Sequence, residues 1–180
     1  MNQVGIVPMS AKPYHVGHDM LLRLAAAECD RVVAFVSTSD RIRKGEFPIS
    51  GAVMRAVWSS HIVRTLPGNV SVRFVSNPVS STYELLGDAN VSDASDTSYR
   101  VYSDPDDMNR NFPSRNLLKY TGRLVEGELV SLRVVPREET VNVSGTQMRG
   151  WLLHGNKAAF VAHLPATLDA DLVWAAVSGR

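Results

Sequence analysis

Short apolar runs alternate with stretches of helical spacing along most of the chain. Strands are predicted at residues 3–7, 31–37, 71–76, 99–103 and 132–136. The run at 31–37, Arg-Val-Val-Ala-Phe-Val-Ser, is apolar on both faces, which is typical of a strand buried in a parallel sheet. The pattern therefore predicts a sheet whose strands are joined by helices.

Helices are predicted between and after these strands, at residues 20–29, 52–65, 83–89, 146–154, 157–163 and 168–177. The expected N-caps are Ser50, either Ser80 or Ser81, and Ser144, since serine side chains accept hydrogen bonds from the first turn of a helix. Residues 90–98 are expected to form an exposed loop, and 117–128 carry no clear pattern.

This alternation of strands and helices predicts the α/β class, with a doubly wound parallel sheet and helices on both of its faces. One domain is expected over residues 1–180, with an α/β core at 1–149 and a C-terminal helical tail at 150–180. In such sheets, ligands bind at the carboxyl ends of the strands. His15, Asp40, Asp104 and Ser144 each follow a predicted strand closely, so we expect them at one edge of the sheet.

Composition narrows the class of partner. The 180 residues are 44% hydrophobic and 21% charged, which is ordinary for a globular domain, and the net charge is +1. This balance argues against nucleic acid as the main partner. No apolar run reaches the roughly 20 residues that span a membrane, and no signal peptide is visible, so the cytoplasm is the expected compartment. The single cysteine, Cys29, excludes an intramolecular disulfide framework.

The chemistry is concentrated in the loop between the first strand and the first helix. His15 and His18 lie three residues apart at the predicted helix start, so both can face one anion, and Lys12 adds a positive charge. The N–H groups of the first helical turn are expected to point outward and favour negative charge. A strand, a tight loop and a helix N-terminus with these cations predict a phosphate site.

Two motifs connect this loop to a known family. Pro13-x-His15-x-Gly17-His18 resembles the His-x-Gly-His signature of the nucleotidyltransferase superfamily, which includes cytidylyltransferases and nicotinamide-nucleotide adenylyltransferases. Val143-Ser144-Gly145-Thr146-x-x-Arg149 resembles its second signature. The resemblance spans residues 3–165 and implies a Rossmann-like fold. Many relatives carry glycines and an aromatic residue where Pro8, Met9 and Ala11 stand here.

The resemblance also implies residue roles. The catalytic residues would be His15, His18 and Lys12, with His18 closest to the α-phosphate. The nucleotide-binding residues would be Ser10, Gly17, Ser144, Gly145, Thr146 and Arg149, with Arg149 neutralising the β- and γ-phosphates or the pyrophosphate. No covalent intermediate is expected.

Four further residues are candidates for substrate binding. Asp40 and Arg41 end a strand, and they either contact a ligand or form only a turn. Asp104 either binds the acceptor or a metal, or it caps the next helix. Trp58 either stacks on a base or belongs to the core.

The reaction implied is transfer of a nucleoside monophosphate from a triphosphate to a phosphorylated acceptor, with Mg²⁺ held by the phosphates and by no protein side chain identified here. The second motif and the tail resemble archaeal-type and phage-type nicotinamide-nucleotide adenylyltransferases. ATP and nicotinamide mononucleotide are therefore the favoured substrates. Three alternatives stay open: a CTP-dependent enzyme that activates an alcohol phosphate, a non-catalytic nucleotide-binding module, and a zinc site at His15 and His18. A homo-oligomer is an open option, since relatives often assemble.

Overall fold

Five parallel strands form the central sheet of the computed structural model, which describes residues 2–92, 96–136 and 143–180. The strands lie in the order β3-β2-β1-β4-β5. Their bounds are Asn2–Met9 (β1), Arg31–Ser37 (β2), Val70–Val75 (β3), Thr97–Ser103 (β4) and Val130–Val134 (β5). The order reverses between β1 and β4, which is where doubly wound sheets bind ligands.

Eight α-helices accompany the sheet in the described residues. They are Val16–Glu28 (α1), Gly51–Val57 (α2), Pro78–Val91 (α3), Pro105–Asn111 (α4), Ser114–Glu126 (α5), Gly145–Leu153 (α6), Lys157–Val161 (α7) and Ala170–Ser178 (α8). A π-helical turn, Trp58–Ile62, and a 3₁₀ turn, Val63–Thr65, extend α2. Within these residues, no helix has the length and apolar character that crossing a membrane requires.

The helices cover both faces of the sheet, as the sequence predicts. One buried cluster joins α1, α2 and the C-terminal helices to the sheet through residues such as Leu22, Trp58 and Trp174. The other joins α3, α4 and α5 to the opposite face, through Leu86, Met108 and Leu117. The α/β, Rossmann-like doubly wound fold is thus confirmed. The division into core and tail stays a prediction, and its boundary falls inside α6.

Several predicted element bounds are wrong for local reasons. The third helix begins at Pro78, because the Asn77 side chain caps it by accepting from the N–H groups of Val79 and Ser80; Ser80 and Ser81 therefore lie inside the helix. This helix runs to Val91 and β4 begins at Thr97, so little of the predicted 90–98 loop remains, and residues 93–95 lie outside the described residues. Residues 117–128 lie mostly in α5, which buries Leu117 and Leu124 at a seven-residue spacing.

Candidate active site

A cavity of about 740 Å³ opens at the carboxyl ends of β1, β2 and β4. Its wall includes residues from the loops after these strands and from the start of α6, as expected for a switch point in a doubly wound sheet. Of the thirteen predicted site residues, the structure places twelve on this wall: Ser10, Lys12, His15, Gly17, His18, Asp40, Arg41, Asp104, Ser144, Gly145, Thr146 and Arg149.

Trp58 is the predicted residue that the structure places elsewhere. Its side chain is 0% exposed and packs edge-on against Tyr14, with ring centroids 4.9 Å apart. Tyr14 in turn stacks on His18 at 5.8 Å. Of the two alternatives for Trp58, the structure therefore supports the core and not substrate binding, with the ring packed behind the site. As on most helices, the aromatic residue belongs to the core.

The two histidines cap α1 with their own side chains. His15 Nδ1 accepts a hydrogen bond from the Gly17 N–H at 3.1 Å, and His18 Nδ1 accepts one from the His15 N–H at 3.3 Å. Because Nδ1 is an acceptor in both rings, the neutral imidazoles carry their hydrogen on Nε2. The rings lie against each other with centroids 3.8 Å apart. The caps thus leave Nε2 as the nitrogen that carries the hydrogen in each neutral ring, and both residues line the cavity.

The backbone N–H groups in the first turn of α1 donate hydrogen bonds within the protein, contrary to the prediction. The Val16 N–H donates to the His163 carbonyl at 2.9 Å, the Gly17 N–H donates to the His15 ring, and the His18 N–H donates to the His15 carbonyl at 2.9 Å. The expectation that these amides point outward to an anion is therefore wrong, because His15 and the His163 carbonyl accept their hydrogen bonds. The side chains of His15 and His18 are the groups that this turn offers to a ligand.

Lys12 lines the cavity, and its side chain is buried. The residue is 6% exposed, and its ammonium donates to the Ser37 carbonyl at 2.8 Å. Burial lowers the pKa of Lys12 from its ordinary 10.5 to about 8, while the nearby Asp40 carboxylate opposes this change and Arg41 adds to it. The preceding residue, Ala11, has φ 47°, a left-handed conformation that glycine adopts with less strain.

The second motif forms the start of α6 and contacts Lys12, the residue just before the first motif. Ser144 caps the helix by accepting from the Gln147 N–H at 3.2 Å, and the Gln147 side chain accepts from the Ser144 N–H at 2.8 Å. Arg149 is 5% exposed and donates to the Lys12 carbonyl at 2.8 Å and to the Thr146 hydroxyl at 3.0 Å. This arginine therefore joins the two motifs across one cavity, although 137 residues separate it from Lys12 in the sequence.

Glu46 makes the most important contacts that the sequence does not predict, with two arginines of the site. Its carboxylate pairs with Arg41 at 2.9 and 3.1 Å, and with Arg149 at 3.1 and 3.4 Å. Hydrogen bonding to Arg41, and then the charge of Arg149, lower the pKa of Glu46 to about 2, so the group is ionised at any working pH. Nothing in the spacing of residues 42–49 points to a residue 103 positions away.

The cavity wall itself includes residues that the sequence analysis does not identify, among them Arg43, Asp107 and Arg110. The last two belong to α4, which Asp104 caps by accepting from the Asp107 N–H at 2.9 Å. A second cavity of about 340 Å³ adjoins the first, and Arg110 lines both. Asn77 and Phe112 line the second cavity only. The two cavities share Met9, Ser10 and Ser37, so they lie side by side at the sheet edge.

A metal site of the zinc type is not found at the histidines. Within residues 2–92, 96–136 and 143–180, no three His, Cys, Asp or Glu side chains cluster closely enough to hold a metal ion. His61 lies in the π-helical turn after α2 and does not line the cavity, so it is not placed to act as a third ligand beside His15 and His18.

Comparison with known proteins gives a result for structure but not for sequence. No protein-family model matches the chain, and no curated protein matches it. A Vibrio parahaemolyticus protein named as a nicotinate-nucleotide adenylyltransferase aligns over 96% of this chain and 99% of its own, with a TM-score of 0.61 and 17% identity. Nicotinic acid mononucleotide adenylyltransferase from Plasmodium falciparum, complexed with NaAD, aligns over 97% of both chains, with a TM-score of 0.58 and 11% identity.

A third similar structure is Thermotoga maritima TmcAL bound with alpha-thio ATP. It has a TM-score of 0.53 and 16% identity, and the alignment covers 96% of this chain but 55% of that one. The chain thus has the fold of the two proteins named as adenylyltransferases, and it matches about half of TmcAL.

Proposed function

We propose that this protein transfers the adenylyl group of ATP to a pyridine mononucleotide, forming a dinucleotide and releasing pyrophosphate. The observation that carries the proposal is the hydrogen bond from Arg149 to the Lys12 carbonyl, because it brings both superfamily motifs to one cavity at the switch point. The named activities of the structural neighbours support adenylyl transfer over cytidylyl transfer.

In this reaction a phosphate oxygen of the acceptor attacks the α-phosphorus of ATP, and the bond from that phosphorus to the bridging β-oxygen breaks. The acceptor phosphate is already anionic, so no strong base is needed. Catalysis then depends on in-line placement and on donors to the charge that develops on the phosphates. The Nε2–H groups of His15 and His18 and the ammonium of Lys12 are the proposed donors at the α-phosphate. Arg149, beside Thr146, is proposed to hold the leaving pyrophosphate.

Magnesium is proposed to enter with the triphosphate. Mg²⁺ prefers oxygen ligands and is usually bound through substrate phosphates with one or two carboxylates. The cavity wall carries Asp40, Asp104 and Asp107, so its donor set suits an ion that the phosphates hold and a carboxylate contacts. The ion would supply positive charge to the crowded phosphates.

The acceptor is proposed to occupy the second cavity, next to Phe112 and Asn77. The tail and the second motif of the sequence favour nicotinamide mononucleotide, whereas the names of two structural neighbours favour the nicotinate form. Both acceptors therefore belong in the first assay, which measures pyrophosphate release with Mg²⁺ and either ATP or CTP. Mass spectrometry identifies the product. Release with CTP alone contradicts the proposal, and nucleotide binding with no release from any acceptor indicates a binding module.

Two variants separate the proposed catalytic role of His18 from its structural role as a helix cap. In His18→Asn, the side-chain oxygen can still accept the His15 N–H, but the Nε2–H donor is lost; we expect turnover to fall by about 10²-fold or more, the effect of removing one transition-state donor. In His18→Gln, the amide extends toward the Nε2 position, and we expect partial recovery. Steady-state kinetics and thermal unfolding check both variants. Equal loss in both variants, together with a lowered Tm, would indicate a purely structural role.

A further inference from the structure

Arg41 and Arg149 share one carboxylate in the structure, and the proposed function requires Arg149 to take phosphate oxygens instead. We propose that the Glu46 carboxylate occupies, in the nucleotide-free protein, the place of an anionic phosphate group of the substrate, and that the triphosphate displaces it to bind Arg41 and Arg149 together. This inference rests on the proposed function and adds a self-blocking contact to the same site.

The donor geometry of Arg149 is the first argument. One of its terminal nitrogens donates to the Lys12 carbonyl, and the other donates to Thr146 and to Glu46. Its Nε lies 3.1 Å from the second oxygen of Glu46. The side of the guanidinium formed by Nε and one terminal nitrogen, which arginine uses for bidentate contact with phosphate, therefore faces Glu46. A phosphate group can use that side of Arg149 only if the carboxylate leaves.

Arg41 also directs its phosphate-binding side at the Glu46 carboxylate. Its Nε and one terminal nitrogen lie 2.9 and 3.1 Å from the two oxygens of Glu46, which is the fork geometry of arginine with carboxylate or phosphate. Glu46 thus accepts a bidentate contact from Arg41, and from Arg149 one hydrogen bond at 3.4 Å beside an ion-pair contact with Nε. A phosphate group has the charge and the oxygen geometry to replace it.

The electrostatic state of the two arginines explains why an anion is held there in the free protein. Burial, followed by the charge of Arg41, lowers the pKa of Arg149, which means that the charged form of Arg149 is disfavoured without a counter-charge. Glu46 supplies that counter-charge. A triphosphate carries more negative charge than a carboxylate. Replacement of the Glu46 carboxylate by a triphosphate therefore keeps both arginines neutralised.

The loop that carries Glu46 allows this exchange without unfolding. Arg41 and Ile49 pair through two backbone hydrogen bonds of 2.8 and 3.0 Å, which close residues 42–48 into a short loop. Gly45 turns the chain with φ 81°, and the Glu46 side chain is 23% exposed. A change of side-chain rotamer can therefore move the carboxylate into solvent while the loop stays closed.

The test compares Glu46→Gln with the wild-type protein by titrating inorganic pyrophosphate and ATP in a calorimeter. Glutamine keeps the size of the side chain but removes the charge that competes with phosphate. If the carboxylate blocks about nine molecules in ten, its removal tightens apparent affinity about tenfold. We expect this gain for both ligands, together with a lower KM for ATP. A residue that only positioned the arginines would give weaker binding when neutralised.

Glu28→Gln is the matched control. Glu28 also bridges two arginines, Arg100 and Arg133, at 3.4 and 3.5 Å, but it lies at the other end of α1, about 15–20 Å from the histidines along the helix axis. We expect no change in pyrophosphate affinity for this variant. Unchanged or weaker binding in Glu46→Gln, with an active wild type, overturns this inference alone. If neither the wild-type protein nor Glu46→Gln binds ATP or pyrophosphate, the proposed function is overturned as well.

Discussion

Lys12 is the residue through which pH should act on this site. The Ser37 carbonyl and the burial of the side chain hold the ammonium in the cavity, where its pKa falls to about 8. The free protein therefore carries a charged Lys12 at pH 7 and loses that charge as the pH rises through 8. A bound triphosphate favours the charged form, so the same group should titrate at higher pH in the substrate complex.

We predict that kcat/KM for ATP is steady below pH 8 and falls about tenfold per pH unit above it, because kcat/KM reports the free protein. The fall in kcat should begin at a higher pH. Initial rates from pH 6 to 10 at constant ionic strength check both curves.

Lys12→Arg is the control for this prediction. Arginine keeps the positive charge but does not titrate in this range, so its kcat/KM should stay level above pH 8. A wild-type profile that is level to pH 9.5, or an arginine variant that keeps the alkaline fall, would assign the pH effect to another group.

At the scale of elements, the junction of β2 and α2 positions Asp40 and Arg41. The Asp40 carboxylate accepts the Gly51 N–H at 2.8 Å, which ties the end of the strand to the start of the helix. A Cβ atom at Gly51 would lie 1.6 Å from the Thr38 carbonyl oxygen. The site loop is therefore built on a contact between two backbone segments that only glycine permits.

Gly51→Ala should lower the free energy of unfolding by about 3 kcal/mol or more, since the clash is with backbone and the helix must move away. Urea unfolding followed by circular dichroism measures the change. Gly87→Ala is the control, because Gly87 lies inside α3 and its Cβ would meet no atom within 4 Å. That variant should gain about 0.5–1 kcal/mol from the higher helix propensity of alanine. Similar stabilities for the two variants would show that α2 can shift without cost.

At the scale of the molecule, the sequence predicts what depends on periodicity and local spacing. The strand positions follow from short apolar runs, and the grouping of His15, His18 and Arg149 follows from motifs that each lie at the start of a helix. Sequence spacing leaves both alternatives for Trp58 open, because it does not show whether this aromatic side chain is buried or exposed.

The errors share a physical cause, which is that they depend on side-chain contacts. The Gly17 amide of α1 donates to the imidazole of His15, and sequence spacing contains no information on the rotamer that brings this ring back onto the helix. Glu46 meets Arg149 only after the sheet has brought the β2–α2 loop next to α6. Long-range ion pairs of this kind require the three-dimensional arrangement.

Nucleotide binding should stabilise the whole molecule, and the size of the effect should depend on the base. A ligand at 100 times its Kd stabilises the folded state by about 2.7 kcal/mol. For a chain of 180 residues this corresponds to a rise in Tm of about 5–10 °C. We predict this rise for ATP with Mg²⁺, and a smaller one for CTP at the same concentration.

Inorganic tripolyphosphate separates the two parts of that stabilisation in the same thermal scan. It reaches the cations Lys12, Arg41 and Arg149 but offers no base to the apolar wall formed by Met20, Leu21 and Val143. Its shift therefore measures the phosphate contribution, and the difference between ATP and tripolyphosphate measures recognition of adenine. If CTP stabilises the protein as much as ATP does, the cavity does not select adenine and the cytidylyltransferase alternative becomes the better one.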